Sequence, residues 1–154
     1  MRKCNFSVGR RLSFVLGLAI FSFQAYGGEY SVGLVLDKGG KDDKSFNSAA
    51  HLGAMKAKDE HKIFLKYVEA TDDNAFELLL RTFAEKDYDL IIGVGFAQAD
   101  PVKKVAAKYP NKKFAIVDAI VDAPNVRSLM FEEHEGSYLV GAVAAKASQT
   151  GTIG

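Results

Sequence analysis

The sequence predicts an open, mainly parallel α/β sheet with helices on both faces. Three observations carry that prediction. Short continuous apolar runs, rich in β-branched and bulky residues, alternate with amphipathic stretches of helical period. Strand followed by helix recurs four times, which demands parallel pairing through right-handed crossovers. No internal repeat or low-complexity segment points to another architecture.

Residues 1–27 stand outside this pattern. Arg2, Lys3, Arg10 and Arg11 form a basic head with no acid, and "LSFVLGLAIFSF" (12–23) is an apolar run too short to span a bilayer. Ala25 and Gly27 then supply small residues at −3 and −1 of a cleavage after Gly27. This is the layout of a secretory signal peptide, and no polar face patterns the run as a buried helix. Ser13 departs from the twin-arginine pattern after Arg10-Arg11, so ordinary secretion is expected. The mature product is expected to be residues 28–154, soluble and periplasmic or secreted. Cys4, the single cysteine, precedes the apolar run, whereas a lipoprotein cysteine would follow it; free diffusion is expected, with no thiol or disulfide chemistry. Without the basic head, sixteen cations face nineteen acids, a net charge near −3. That balance argues against nucleic acid, which requires a basic stripe.

The elements follow in order. "YSVGLVL" (30–36) reads as a buried strand. "SFNSAAHLGAMKAKDE" (45–60) places Phe46, Ala49, Ala50, Gly53 and Ala57 on one helical face, with Ser45 in position to cap. "KIFLKYVEA" (62–70) is a second strand. "DNAFELLLRTFAEK" (73–86) is a helix with Phe76, Leu79, Leu80 and Phe83 at i, i+3, i+4, i+7. "DLIIGVG" (89–95) is a third strand, and "QADPVKKVAAKY" (98–109) a helix with Pro101 in its first turn. "KFAIVDA" (113–119) and "NVRSLMFE" (125–132) are further strands. "EGSYLVGAVAAKAS" (135–148) is a last helix with a Gly/Ala-rich face suited to close packing, and "TGTIG" suggests a strand beginning.

In such sheets ligands bind beyond the carboxyl ends of the strands, where strand order reverses. Those ends carry Asp37 with a glycine loop; Glu69, Thr71 and Asp72; Gly95-Phe96-Ala97-Gln98; Asp118; and Glu132, Glu133 and His134. A rim of acceptors with flat apolar rings suits a neutral or cationic ligand rich in donors, such as a nucleoside or sugar, and suits a phosphate poorly. No G-x-x-x-x-G-K-[ST] loop is present, and in "GVGFAQ" Gln98 stands where a dinucleotide fingerprint needs its third glycine. No cofactor is implied. Neither H-E-x-x-H nor G-x-S-x-G occurs, so no catalytic set is assembled and an enzyme is not expected. His51 on a helix and His61 at a strand start read as surface or edge residues. "EEHEG" (132–136) has the composition of a metal site, but acids at a helix N-terminus, favoured by the macrodipole, account for it. Phe46 is either the first core residue of its helix or a ligand-facing ring. Phe96, past a strand end and followed by polar residues, is hard to place in a core.

"GLVLDKGGKDDKSFN", "LIIGVGF", "KFAIVD" and "FEEHEGSYLVGAVAA", in order and at matching spacing, resemble the basic membrane protein family of bacterial substrate-binding proteins, whose best-understood members are purine nucleoside receptors of ABC importers. The likeness runs from Tyr30 to Gly154. It implies one lobe of a type I periplasmic binding protein, an ABC permease as partner and no catalysis. Asp37, Ser45, Phe46 and Asn47 would border the nucleoside, with Asn47 and Asp118 hydrogen-bonding the base and Phe46 or Phe96 stacking on it. Two departures stand out: many members carry an acylated cysteine, and members are about twice this long, so the expectation is a single lobe without the second, an open half-site that binds weakly. The alternative reading is a single-lobe interaction or regulatory module whose uncovered face pairs with another chain or with itself.

Overall fold

The structure, a computed structural model, describes residues 29–153; the expected signal peptide and Cys4 lie outside them. Five strands form one sheet in the order β2-β1-β3-β4-β5, every neighbouring pair parallel. They are β1 (Ser31–Leu36), β2 (Phe64–Glu69), β3 (Leu90–Val94), β4 (Lys113–Val117) and β5 (Val126–Leu129). The helices are α1 (Phe46–His61), α2 (Ala75–Glu85), α3 (Ala99–Lys108) and α4 (Glu133–Ala147), with a single 3-10 turn at Phe96–Gln98. The expected open, parallel α/β sheet is what forms. Strand ends fall up to three residues inside the expected limits, and β4 stops at Val117 because Asp118 takes a left-handed backbone, φ 64°.

Strand alternation divides the core. Val35, Ile91, Phe114 and Ile116 face α2 and α3, where Phe76, Leu80, Phe83, Val102 and Val105 complete a dry layer. Each such large side chain is worth about 1.5–3 kcal/mol when fully buried. The predicted α2 stripe is therefore the main core face, with Leu79 only partly covered. On the opposite face Leu34, Leu36 and Val94 meet Ala50 and Ala54 of α1.

Helices therefore lie on both faces, as expected, but among the described residues the second face is only partly covered. The predicted α1 stripe exists, but Phe46, Ala49, Gly53 and Ala57 look into a cavity of about 620 Å³ whose floor is Ile92, Val94, Val117 and Leu129. Among the described residues only α1 lies there, and these leave the β3–β5 half of the face open. Nor does α4 close it: none of its residues is buried, and Tyr138, Leu139, Val140 and Val143 are all exposed. Its expected close packing is absent among the described residues, because nothing adjacent offers it a surface. No strand forms over "TGTIG" through Ile153.

Candidate functional site

The crossover from β2 to β3 passes over β1, so strand order reverses between β1 and β3, and a crevice opens beyond their carboxyl ends. Their pairing ends with Val35 opposite Gly93. The chain then diverges: the Gly95 N–H turns to the Val117 carbonyl of β4 at 3.0 Å. Gly95 takes φ 103°, and a Cβ there would stand 2.9 Å from Asp37 Oδ2. Glycine is needed both for its backbone and for the carboxylate that lies against it.

Asp37 and Asn47 are joined directly. Asn47, 3% exposed, accepts the Asp37 N–H at its Oδ1 (2.9 Å) and donates from Nδ2 to the Lys38 carbonyl (3.4 Å). Its amide thus holds the loop after β1 to the first turn of α1. Ser45 stands at the N-cap of α1, but its side chain makes no capping bond. Asp43 caps instead, which corrects the assignment to Ser45. One Asp43 oxygen accepts the N–H groups of Ser45 (2.8 Å) and Ser48 (3.0 Å), the other that of Asn47 (2.9 Å). These donors, those of Ser45 and Ser48 foremost, lower its pKa to about 2. Lys44, at φ 55°, supplies the left-handed residue that lets the chain double back between Asp43 and Ser45. The sequence signal was an acid placed just ahead of a serine and an apolar helical stripe, which suits Asp43 as well as Ser45.

Phe46 and Glu133 line the open cavity with Phe131. The Asp118 side chain lies in hydrogen-bond reach of Glu133, and that contact, with a lesser contribution from burial, raises the pKa of Glu133 above its usual value. Asp118 also donates its backbone N–H to the Leu129 carbonyl at 2.9 Å, fixing it at the β4 edge beside β5. Phe96 is 74% exposed and is not among the cavity-lining side chains. The structure therefore groups Asp37 with Asn47 and Gly95, and Asp118 with Glu133 close to Phe46; Phe96 stands on the solvent side of the crevice. Glu133, noted in the sequence as an acid at a strand end and helix start, is the partner of Asp118 that reasoning from sequence missed.

Glu132, His134 and Glu135 bring their ligand atoms within 4.8 Å of one another, but all three are exposed at the N-cap and first turn of α4, where the helix dipole favours acids. His51 packs its ring edge-on against Tyr67 of β2 at 4.4 Å. No helix among the described residues is long and apolar enough to cross a membrane.

Residues 30–154 match the family described as ABC transporter substrate-binding protein, PnrA-like. The chain belongs to this family. A CD4+ T-cell-stimulating antigen of Listeria monocytogenes is 38% identical over 132 residues, 82% of this chain and 37% of its own length. The ABC transporter nucleoside-binding protein BmpA of Lactococcus lactis is 31% identical over 126 residues, 79% of this chain and 36% of its own. The crystal structure of an ABC transporter solute-binding protein from Aeropyrum pernix superposes with a TM-score of 0.70 at 38% identity, covering 75% of this chain and 32% of that one. The chain thus spans about a third of the length of the curated relatives it matches. A Pyrococcus furiosus relative, 35% identical over 87% of this chain and 34% of its own length, is named a lipoprotein. That name runs against the expectation of free diffusion, because an acylated cysteine tethers a protein to its membrane.

Proposed function

We propose that this chain is the ligand-binding lobe of an extracytoplasmic solute-binding protein of an ABC importer, and that its ligand is a purine nucleoside or a close relative. Residues 1–27 export it, residues 28–154 form the lobe, and a permease receives the ligand. The observation that carries the reading is the crevice between β1 and β3. Asp37 stands at its lip after β1, Asp118 follows β4 one strand beyond β3, and Phe96 follows β3 while Phe46 opens α1. A purine offers N–H donors to such acceptors and a flat face to a ring. Asp118 with Glu133 is the acidic pair facing the base, Phe46 or Phe96 stacks, and Ser45 borders the loop. Asn47, with its amide engaged in the loop, acts on the ligand by setting the position of Asp37. The nucleoside-binding relative from Lactococcus lactis supports the ligand class.

Calorimetric titration of the chain with inosine, guanosine, adenosine, cytidine and ribose tests this. Saturable, weak binding of purine nucleosides, lost in Asp118→Ala, is expected. Heat from ribose alone or from no ligand, with a folded sample, rejects it.

A second reading is favoured by one observation: the apolar cavity beside α1 and an α4 with no buried residue leave two unpartnered surfaces on one lobe. In this reading the lobe is an interaction or regulatory module acting through protein contact, self-association included. Sedimentation equilibrium distinguishes the two, since a ligand-binding monomer and a nucleoside-blind dimer give different masses and different titrations.

A further inference from the structure

We propose that Gln98 is a positioning residue of the ligand crevice, its amide wedged between the carboxyl ends of β1 and β3 so as to fix the spacing of Asp37 from Gly95 and Phe96. The inference rests on the reading of that crevice as the ligand site. Gln98 is fully buried although it is polar and follows a strand end. Its Nε2 donates to the Val35 carbonyl at 3.0 Å and the Val94 carbonyl at 2.8 Å, so one amide group ties β1 to β3 where their ladder has just ended. Its backbone N–H donates to the Gly95 carbonyl at 3.1 Å and closes the turn that carries Phe96. Side chain and main chain of one residue thus anchor both lips of the crevice.

The arrangement is not what packing alone would select. Gln98 Oε1 is buried with no donor among the described residues, an unfavourable state that an apolar side chain of the same length would avoid. Room for it comes from Gly93, where a Cβ would stand 3.0 Å from Oε1 and 3.1 Å from Val102 Cγ2. Phe96, 74% exposed, has little packing of its own to hold its ring, so its placement depends on the turn that Gln98 anchors. Asp37 Oδ2 lies against Gly95 in the same turn. A shift of the turn therefore moves a carboxylate contact and a ring together.

The test uses the full chain with Gln98→Met, which keeps length and volume but removes both donors. Three quantities are read: the thermal midpoint, the ligand-free amide chemical shifts of Asp37, Lys38, Gly95 and Phe96, and inosine affinity. A folded Gln98→Met whose shifts change at those four amides, with affinity about tenfold weaker, is the expected result. Unchanged shifts at the four amides, or unchanged affinity in a protein that binds inosine, overturns it. If wild type binds no nucleoside, the ligand reading has failed, and the amide shifts still decide whether Gln98 sets the two lips. If Gln98→Met does not fold, Gln98→Asn, which keeps the amide but is one methylene shorter, gives the same readings.

Discussion

The side-chain oxygen of Asn47 accepts the backbone N–H of Asp37 at 2.9 Å, and this one bond joins the end of β1 to the beginning of α1. Asn47 is 3% exposed, so its amide has no ready access to water in place of this bond. The same amide donates to the Lys38 carbonyl, which makes Asn47 the internal clamp of the loop. Asn47→Ala is expected to lower stability by about 1–3 kcal/mol, the penalty for leaving buried polar groups unpaired. Urea unfolding should show a lower midpoint at unchanged slope. A midpoint equal to wild type would mean the loop is not held by this bond. Nucleoside affinity should fall as well, through the displacement of Asp37.

Asp43 gives a prediction with a defined pH window. Its carboxylate accepts three backbone N–H groups at the start of α1 and has a folded pKa of about 2, below its ordinary value of 3.8. A lowered folded pKa means that the ionised form is the stabilising one. Its contribution is complete above the unfolded pKa and is lost as pH falls from about 4 toward about 2. Asp43→Asn should therefore melt below wild type by a constant margin at pH 5 to 8, and the margin should narrow across that acid window. Circular dichroism melts at several pH values measure it. A margin independent of pH down to 2 would show that the Asp43 charge contributes nothing.

How far these features were legible differs by residue. The sheet was, because β1, β3 and β4 read as continuous apolar runs and α2 carries a strict four-residue stripe in Phe76, Leu79, Leu80 and Phe83. The α1 stripe was legible as a stripe, but periodicity says only that a face is apolar, not that another element covers it. Hence the cavity beside Ala49, Gly53 and Ala57 could not be foreseen. The candidate acids Asp37 and Asp118 followed from the strand-end rule. Their partners did not: Asn47, Glu133 and Asp43 act through geometry set by the left-handed residues Lys44 and Asp118, and a positive φ at a residue other than glycine leaves little trace in a sequence.

Phe46 and Phe96 are separable by experiment. Phe96 is 74% exposed, so Phe96→Ala should change stability by less than about 0.5 kcal/mol. Phe46 is 37% exposed and borders the cavity, so Phe46→Ala should cost more than Phe96→Ala. The ring that stacks on a base should in addition lose about 1–3 kcal/mol of binding when truncated. Paired thermal melts and titrations of the two variants decide between them. Equal affinity loss in both would mean that the base sits between the rings, and no loss in either would exclude stacking.

The last prediction concerns Asp118 and Glu133. Two carboxyl groups in hydrogen-bond reach share a proton more readily than they bear two charges, and Asp118 accordingly raises the pKa of Glu133 above its usual 4.5. For an acid with a raised folded pKa, the stabilising form is the protonated one. Its contribution is complete below the unfolded pKa and is lost as pH rises through the folded value. Above that value the pair carries two negative charges, and α4 begins on a repulsive contact. Glu133→Gln keeps a donor for Asp118 and removes the titration. Its melting temperature should match wild type near pH 4 and exceed it at pH 7, by a small margin because both groups are solvent-accessible and screened. A ligand whose N–H groups meet both acids would stabilise the doubly charged pair and lower the Glu133 pKa. Nucleoside titrations in two buffers of different ionisation heat should then show proton release in wild type and none in Glu133→Gln. Equal proton counts in the two proteins would remove Glu133 from the ligand site and leave Asp118 to act there alone.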